Sequence, residues 1–301
     1  MSGFLGGLFA DQTGPMDIEI WMEPFAGGAG AGLALLAAGR VPEVWLVDQN
    51  PALSAMWRAM CDQGEELAAR VAATVPNLAV WHEAKAVLQA SEAGEQLEDL
   101  DLGLAAFLVN RCSRSGIVNS RVGPIGGKHQ DGRWTVASRF NAAELAERIR
   151  RVHRFAQQGQ LRFGEGDAIA HIADLNDSGI GDELLLFVDP PYLREGNRLY
   201  ANGMTAADHQ ALADTLNTCQ TPWLLTYDNE PLVPDRLYPD CRVLAYEIPN
   251  TANQQRVAWE YAVLSDNLRI DNDPQLLRRG DAVWLRSEAD LRAQTWPRRA
   301  A

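Results

Sequence analysis

The chain has 301 residues, with 27 Lys and Arg against 40 Asp and Glu, a formal net charge of −13. At roughly 100–200 residues per domain, this is one large domain or a core domain with a sizeable insertion. An apolar fraction of 47% with 22% charged residues is an ordinary globular composition, which excludes extensive disorder outside the termini. No run of about 18 consecutive apolar residues occurs, so no transmembrane helix is expected. The N-terminal MSGFLGGLFADQTG has no basic residues ahead of its apolar ones, which argues against a secretory signal. Cys61, Cys112, Cys219 and Cys241 are far apart and form no Cys-x-x-Cys pair. That pattern predicts reduced thiols in a cytoplasmic protein and no zinc site, and the scattered histidines predict no metal.

Along the chain, strand-like runs alternate with helix-like ones. Ile18–Glu23 is a short β-forming run that ends in a Pro and a Gly-rich turn; Gly32–Ala38 reads as a helix and Val44–Val47 as the next buried strand. A long helix starts at Pro51, where Pro suits the first turn. Further strands are predicted at Leu161–Phe163, Leu184–Val188, Trp223–Tyr227, Arg242–Ile248 and Val257–Leu264, the last two as an antiparallel pair. Such alternation implies an α/β fold with a mostly parallel sheet covered on both faces. Cys112–Ser138 interrupts it with a stretch rich in Gly, Ser and basic residues, too long for a structureless loop and read as an inserted subdomain or a binding loop. The tail after Asn267 is polar, with a terminal helix as its one legible element.

Charge is unevenly distributed. Residues 111–154 carry ten Lys or Arg and three acids, a segment of +7 in a remainder of −20. One reading is a solvated helix face plus a polar loop. The other is a basic surface on an acidic body, suited to a polyphosphate backbone.

Two motifs carry chemistry. Glu23-Pro24-Phe25-Ala26-Gly27-Gly28-Ala29-Gly30 lies between a strand and a helix, where glycines let the backbone turn tightly and approach a ligand. Leu33 occupies the third glycine position of a dinucleotide fingerprint, and Asp48 follows Gly28 by 20 residues at a strand end, where a carboxylate can hold a ribose. Alone, this pair indicates an adenosine-type cofactor without choosing NAD from S-adenosylmethionine. The second motif is Asp189-Pro190-Pro191-Tyr192 at the end of the apolar run Leu184–Val188. Two prolines end the ladder and fix the backbone, and a carboxylate, a carbonyl and an aromatic ring are left at the sheet's carboxyl edge. Methylation of an amino nitrogen conjugated to a π-system needs such a site. Asp189 and the Pro190 carbonyl can accept its two N–H bonds, stabilising the charge that develops on nitrogen, while Tyr192 stacks on the base.

With both motifs in place the sequence resembles the Dam-like class of adenine-specific DNA N6-methyltransferases over about residues 18 to 266. Asn110-Arg111-Cys112-Ser113-Arg114-Ser115-Gly116, the GPIGGK run with Gly132-Arg133-Trp134 and Ser138-Arg139-Phe140-Asn141, Leu199-Tyr200 with Asp208-His209, and Leu225-Thr226-Tyr227-Asp228-Asn229 extend the resemblance. It implies a Rossmann-like, S-adenosylmethionine-dependent methyltransferase fold without a metal. The implied division is a cofactor half (16–110), a DNA target-recognition region (111–158), a catalytic half (159–267) and a tail (268–301). Glu23, Phe25, Gly27, Gly28 and Gly30 would surround the methionine and sulfonium part of the donor, with Asp189 facing it; Asp48 would take the ribose and Asp167 the adenine amino group. Asp189, Pro190, Pro191 and Tyr192 would receive a flipped adenine. Asn110, Arg111, Arg114, Ser115, Arg121, Lys128, Arg133 and Arg139 would contact DNA phosphates or guanine edges.

The resemblance breaks at the N-terminus, where the family's Gly-Gly-Lys is replaced by Gly6-Gly7-Leu8; the GGK at 126–128 lies in the insert. That departure motivates a rival reading, a non-catalytic or partner-dependent subunit of a restriction or phage-defence assembly. Methylation of RNA or of a glutamine side chain is a second rival. Those sites more often read Asn-Pro-Pro-Tyr, so Asp189 favours DNA. No Pro-Cys pair occurs, which excludes a cytosine C5 methyltransferase and a zinc deaminase. His209, at a helix start, is read as a packing or capping residue rather than a base.

Overall fold

A computed structural model describes residues 2–12, 18–114, 116–193, 203–250, 256–270 and 281–295. Its strands are β1 (Ile20–Glu23), β2 (Glu43–Asp48), β3 (Leu161–Glu165), β4 (Leu184–Val188), β5 (Trp223–Asp228), β6 (Arg242–Asn250), β7 (Arg256–Leu264) and β8 (Ala282–Arg286). They form one sheet in the order β3-β2-β1-β4-β5-β7-β6-β8. The expected Rossmann-like α/β architecture is present: β4 pairs parallel with β1 and with β5, and the antiparallel C-terminal pair is β6 with β7. β8 extends that antiparallel end from the tail, where the sequence reading placed no strand. Among the described residues, no helix is long and apolar enough to cross a membrane.

The chain divides into two compact units. The first comprises the described residues of 1–45, 167–198 and 202–301, and its centre is β4. All five β4 residues are buried, none more than 6% exposed, as a strand covered on both faces requires. Trp21 of β1 stacks on Phe187 of β4 with ring centroids 5.4 Å apart. Helix α1 (Ser2–Asp11) buries Leu5, Leu8 and Phe9 and sets Phe9 against Trp21, although Gly6-Gly7 in its middle disfavours a helix. α2 (Gly30–Ala37) follows the Gly-rich loop. Near the tail's end, Glu288–Thr295 is the expected terminal helix.

The second unit, residues 46–166, is mainly helical: α3 (Pro51–Asp62), α4 (Gly64–Ala73), α5 (Leu78–Glu92), α6 (Asp99–Cys112) and α7 (Ala142–Gln157), followed by β3. α3 is capped by Asn50, whose side chain accepts from the amides of Ala52 and Leu53, with Pro51 in the first turn. α7 buries Leu145, Ala146, Ile149 and Val152 along one stripe. The four cysteines are buried and unbridged.

Candidate active site and basic loop

In the first unit, parallel pairing brings Glu23 and Asp189 to the carboxyl ends of neighbouring strands. Met22 stands opposite Leu186 in one ladder, and Val188 opposite Leu225 in the other, so Thr226 of β5 adjoins Asp189. The Thr226 hydroxyl donates to Asp189 Oδ1 at 2.5 Å. Asp189 is surrounded by protein on most sides, yet its side chain keeps solvent access. Burial pushes its carboxyl up, and the bond from Thr226 pulls it back. A carboxylate so placed is fixed in direction and still reachable by a ligand. Pro190 is buried behind it, and Pro191 and Tyr192 are half-buried.

Glu23 is 4% exposed. Its Oε1 accepts from Trp21 Nε1 at 2.9 Å and from the amide of Gly32. Burial raises its carboxyl to about 7 despite these bonds, and the charge of Asp189 adds to the rise. A Cβ at position 32 would lie 2.7 Å from Glu23 Oε1 and 2.9 Å from Val44 Cγ1, so only glycine lets α2 begin this close to the carboxylate. The loop itself turns through left-handed conformations at Gly27 (φ 49°) and Ala29 (φ 44°). Gly28 and Gly30 are exposed, and a Cβ on either would meet open space. Phe25 and Gly27 are half-buried beside them.

Asp48 and Asp167 have local partners. Asp48 ends β2 in the second unit, where its Oδ1 accepts from the Asn50 amide at 2.8 Å. Asp167 caps α8 (Ala168–Ser178) in the first unit, accepting from Ala170 N at 2.9 Å, and is exposed.

The basic segment of the second unit is ordered by its own hydrogen bonds. Ser113 bridges Pro124, the Arg114 amide donates to the Gly123 carbonyl at 3.2 Å, and the Ile125 amide donates to the Cys112 carbonyl at 2.9 Å. Trp81 Nε1 donates to Ser113 Oγ at 3.0 Å, tying the loop to α5. Gln130 closes the next turn through its amide, donating to the carbonyls of Ile125 and Gly127 and accepting from Val136 N. Asn110 donates to the Gly116 carbonyl, so its side chain holds the loop.

The cations fall into two classes. On α7, Arg148 pairs with Glu144, Arg150 with Glu65 and Glu147, and Arg154 with Glu147. In the loop, Arg114, Arg121, Lys128, Arg133 and Arg139 are exposed, and among the described residues none forms an ion pair. Arg111, half-buried, donates to the Arg139 carbonyl at 3.0 Å, and Arg139 donates to the Ser113 carbonyl. Burial, then the charges of Arg139 and Arg148, lower the Arg111 guanidinium. Ser115 lies outside the described residues. On α7, then, Arg148, Arg150 and Arg154 are paired and, among the described residues, Arg151 is not, and most of the unpaired cations of the segment lie in the loop.

No family model and no curated protein matches the chain. Similar solved structures include two of the rRNA methyltransferase aviRa from Streptomyces viridochromogenes, 15% and 16% identical. Each covers 87% of this chain and 81% of the other, with a TM-score of 0.36. At that depth the likeness bears on neither substrate nor reaction.

Trp134, Glu260 and Tyr246 have no role in the sequence reading. Trp134 is 60% exposed at the loop, with the Arg133 guanidinium 5.1 Å from its ring centroid. Glu260 and Tyr246 join the surroundings of Tyr192, the Tyr246 hydroxyl donating to Glu260 Oε2 at 2.8 Å. His209 is 2% exposed with Nδ1 2.6 Å from the Tyr227 hydroxyl, a packing residue as read from the sequence.

Proposed function

We propose that the protein is an S-adenosylmethionine-dependent N-methyltransferase acting on adenine N6 in DNA. The observation that carries the reading is Asp189: a deep but solvent-open carboxylate, aimed by Thr226, beside the open Gly27–Gly30 turn and the buried Glu23. Two carboxylates meet here, and the charge of Asp189 acts on Glu23. A site of that sign favours a positively charged ligand, and the sulfonium of S-adenosylmethionine carries that charge and supplies an electrophilic methyl group.

Within this reading Glu23, Phe25, Gly27, Gly28 and Gly30 hold the methionine end of the donor. Asp48 and Asp167 are assigned the ribose and adenine amino group on the sequence resemblance alone. Asp189 and the Pro190 carbonyl accept the two N–H bonds of the target amino group, which frees its lone pair for direct in-line transfer. The surplus proton on nitrogen leaves along the Asp189 bond towards solvent. No covalent intermediate with the protein is required. A base inside a duplex cannot reach such an acceptor, so flipping at a few kcal/mol is part of the proposal. The exposed loop cations, Arg114, Arg121, Lys128, Arg133 and Arg139, are the proposed phosphate contacts.

The Arg133–Trp134 pair favours a second reading, in which the substrate is single-stranded and RNA replaces DNA, because an exposed indole beside guanidinium offers a stacking platform. Tritium transfer from labelled donor to mixed-sequence DNA and to RNA separates them. Label recovered as N6-methyladenine from DNA, and lost in Asp189→Ala, supports the first reading. Label in RNA alone replaces it with the second. Donor binding without transfer to either, with any partner protein added, makes the chain a non-catalytic subunit.

A further inference from the structure

The Asp-Pro-Pro-Tyr segment has few backbone donors with which to hold itself. Proline has no amide hydrogen, so of residues 190–193 only Tyr192 and Leu193 carry a main-chain donor. The two rings fix φ at Pro190 and Pro191. The remaining torsions, including those of the Tyr192 side chain, are set by what grips the chain beyond the prolines.

That grip comes from the carboxyl end of β5. Val188 stands opposite Leu225, which brings Asp189 level with Thr226, and the Thr226 hydroxyl donates to Asp189 Oδ1 at 2.5 Å. Two residues further along β5, Asp228 Oδ1 accepts from the Leu193 amide at 3.1 Å. Thr226 and Asp228 are i and i+2 of one strand, so their side chains leave the same face. One face of β5 therefore holds the segment at both ends: at Asp189, where it leaves β4, and at Leu193, directly after Tyr192. An amide bonded to a carboxylate at a half-buried position is a stronger tie than a neutral pair.

Tyr227, between the two holding residues, touches the ring itself. Its centroid lies 6.3 Å from that of Tyr192, with the planes 46° apart. Tyr227 is fully buried, and its hydroxyl is 2.6 Å from Nδ1 of His209 on α9 (Ala206–Thr218). It is a fixed wall. A tilted contact limits the Tyr192 ring on one side only, and the backbone at Leu193 must fix the rest.

We propose that Asp228 is a positioning residue for this site: by accepting the Leu193 amide it closes the Asp-Pro-Pro-Tyr turn over the end of β5 and holds the Tyr192 ring for the incoming base. The proposal rests on the methyl-transfer reading for its consequence, not for the bond itself.

The test uses the full chain with Asp228→Ala, Asp228→Asn, Tyr192→Ala and the Asp228→Ala/Tyr192→Ala double variant. Asp228→Ala is expected to lower kcat about tenfold or more with donor KM nearly unchanged. Asp228→Asn retains an acceptor oxygen and should stay within about threefold of the wild type. The double variant should fall within about threefold of Tyr192→Ala alone, because Asp228 acts through that ring. Losses that multiply instead, or an unaltered kcat in Asp228→Ala, would overturn the proposal. A second readout needs no activity. In the unliganded protein labelled with 15N-leucine, the Leu193 amide is assigned by its disappearance in Leu193→Ile. Asp228→Ala should shift that amide and speed its hydrogen exchange about tenfold or more, and Asp228→Asn should do so less. An amide unchanged in Asp228→Ala refutes the bond even if the wild type methylates nothing. One that changes in an inactive wild type leaves the anchor intact and removes the methyl-transfer reading. If Asp228→Ala does not fold, Asp228→Val takes its place with the same expectations, since it suits a strand end and offers no acceptor.

Discussion

Glu23 Oε1 accepts the amide of Gly32, nine residues further on, so the last residue of β1 is joined to the first turn of α2 across the Gly-rich loop. The bond fixes the loop from beneath and places a buried carboxyl whose proton is lost only near neutral pH, at about 7.

That carboxyl links stability to pH. An unfolded Glu releases its proton near the ordinary carboxylate value, whereas folded Glu23 keeps it to about 7, so stability falls as pH rises between the two and stays reduced above. The penalty is about 3 kcal/mol for a shift of this size. Glu23→Gln, which keeps an acceptor for Trp21 and Gly32, should raise the melting temperature at pH 8 and change it little at pH 4. Equal effects at both would show that folding does not raise the Glu23 carboxyl above its ordinary value.

Donor binding should depend on pH in the opposite sense. A cationic ligand favours ionised Glu23, so affinity rises as pH increases towards about 7 and then levels, with proton release below that value. Calorimetric titration of S-adenosylmethionine in two buffers of different ionisation enthalpy measures the release, and Glu23→Gln should abolish it.

Asp189 and Thr226 form the next testable pair. Asp189→Asn replaces one acceptor by a donor and should cost about 10²–10³ in kcat with donor binding retained. Thr226→Val removes the hydroxyl that aims Asp189, and a smaller loss in kcat, about tenfold, is expected. Single-turnover rates with saturating donor distinguish these from binding defects.

The loop predictions concern nucleic acid. Arg133→Ala or Lys128→Ala should weaken binding across sequences and reduce the salt slope by about 1 each, because each removes one phosphate neutralised. Trp134→Ala should lower affinity without altering that slope, since stacking releases no counterion; about 1–3 kcal/mol is the scale of such a contact. A salt slope of zero in the wild type would remove the loop from the interface.

Ser113→Ala addresses the loop's foundation. It leaves the buried Trp81 indole N–H without its 3.0 Å acceptor and should destabilise the protein by about 1–3 kcal/mol. Denaturant unfolding monitored by tryptophan fluorescence checks it.

Most of the sheet was legible in the sequence because its strands are locally marked. Leu184–Val188 is an uninterrupted apolar run ended by two prolines, and the Gly-rich turn after Glu23 announces where a ligand can approach the backbone. α1 and β8 were not. Gly6 and Gly7 lower helix propensity, and α1 exists because Leu5, Leu8 and Phe9 find a core. β8 is five residues with Val283 and Leu285 half-exposed, a strand only because β6 supplies its hydrogen bonds.

The site divides in the same way. By itself the sequence determined the identity and order of the candidate groups: the turn, the Asp-Pro-Pro-Tyr tetrad and the surplus of loop cations. Tertiary structure alone decided that Glu23 holds its proton to about 7, that Asp189 is aimed by Thr226, and that Arg148, Arg150 and Arg154 of α7 pair with acids while, among the described residues, the loop cations form no ion pair. Backbone turns and strand ends depend on residues adjacent in the chain, so a motif encodes them. Protonation, hydrogen-bond direction and ion pairing depend on burial and on partners tens of residues away, which no local pattern specifies.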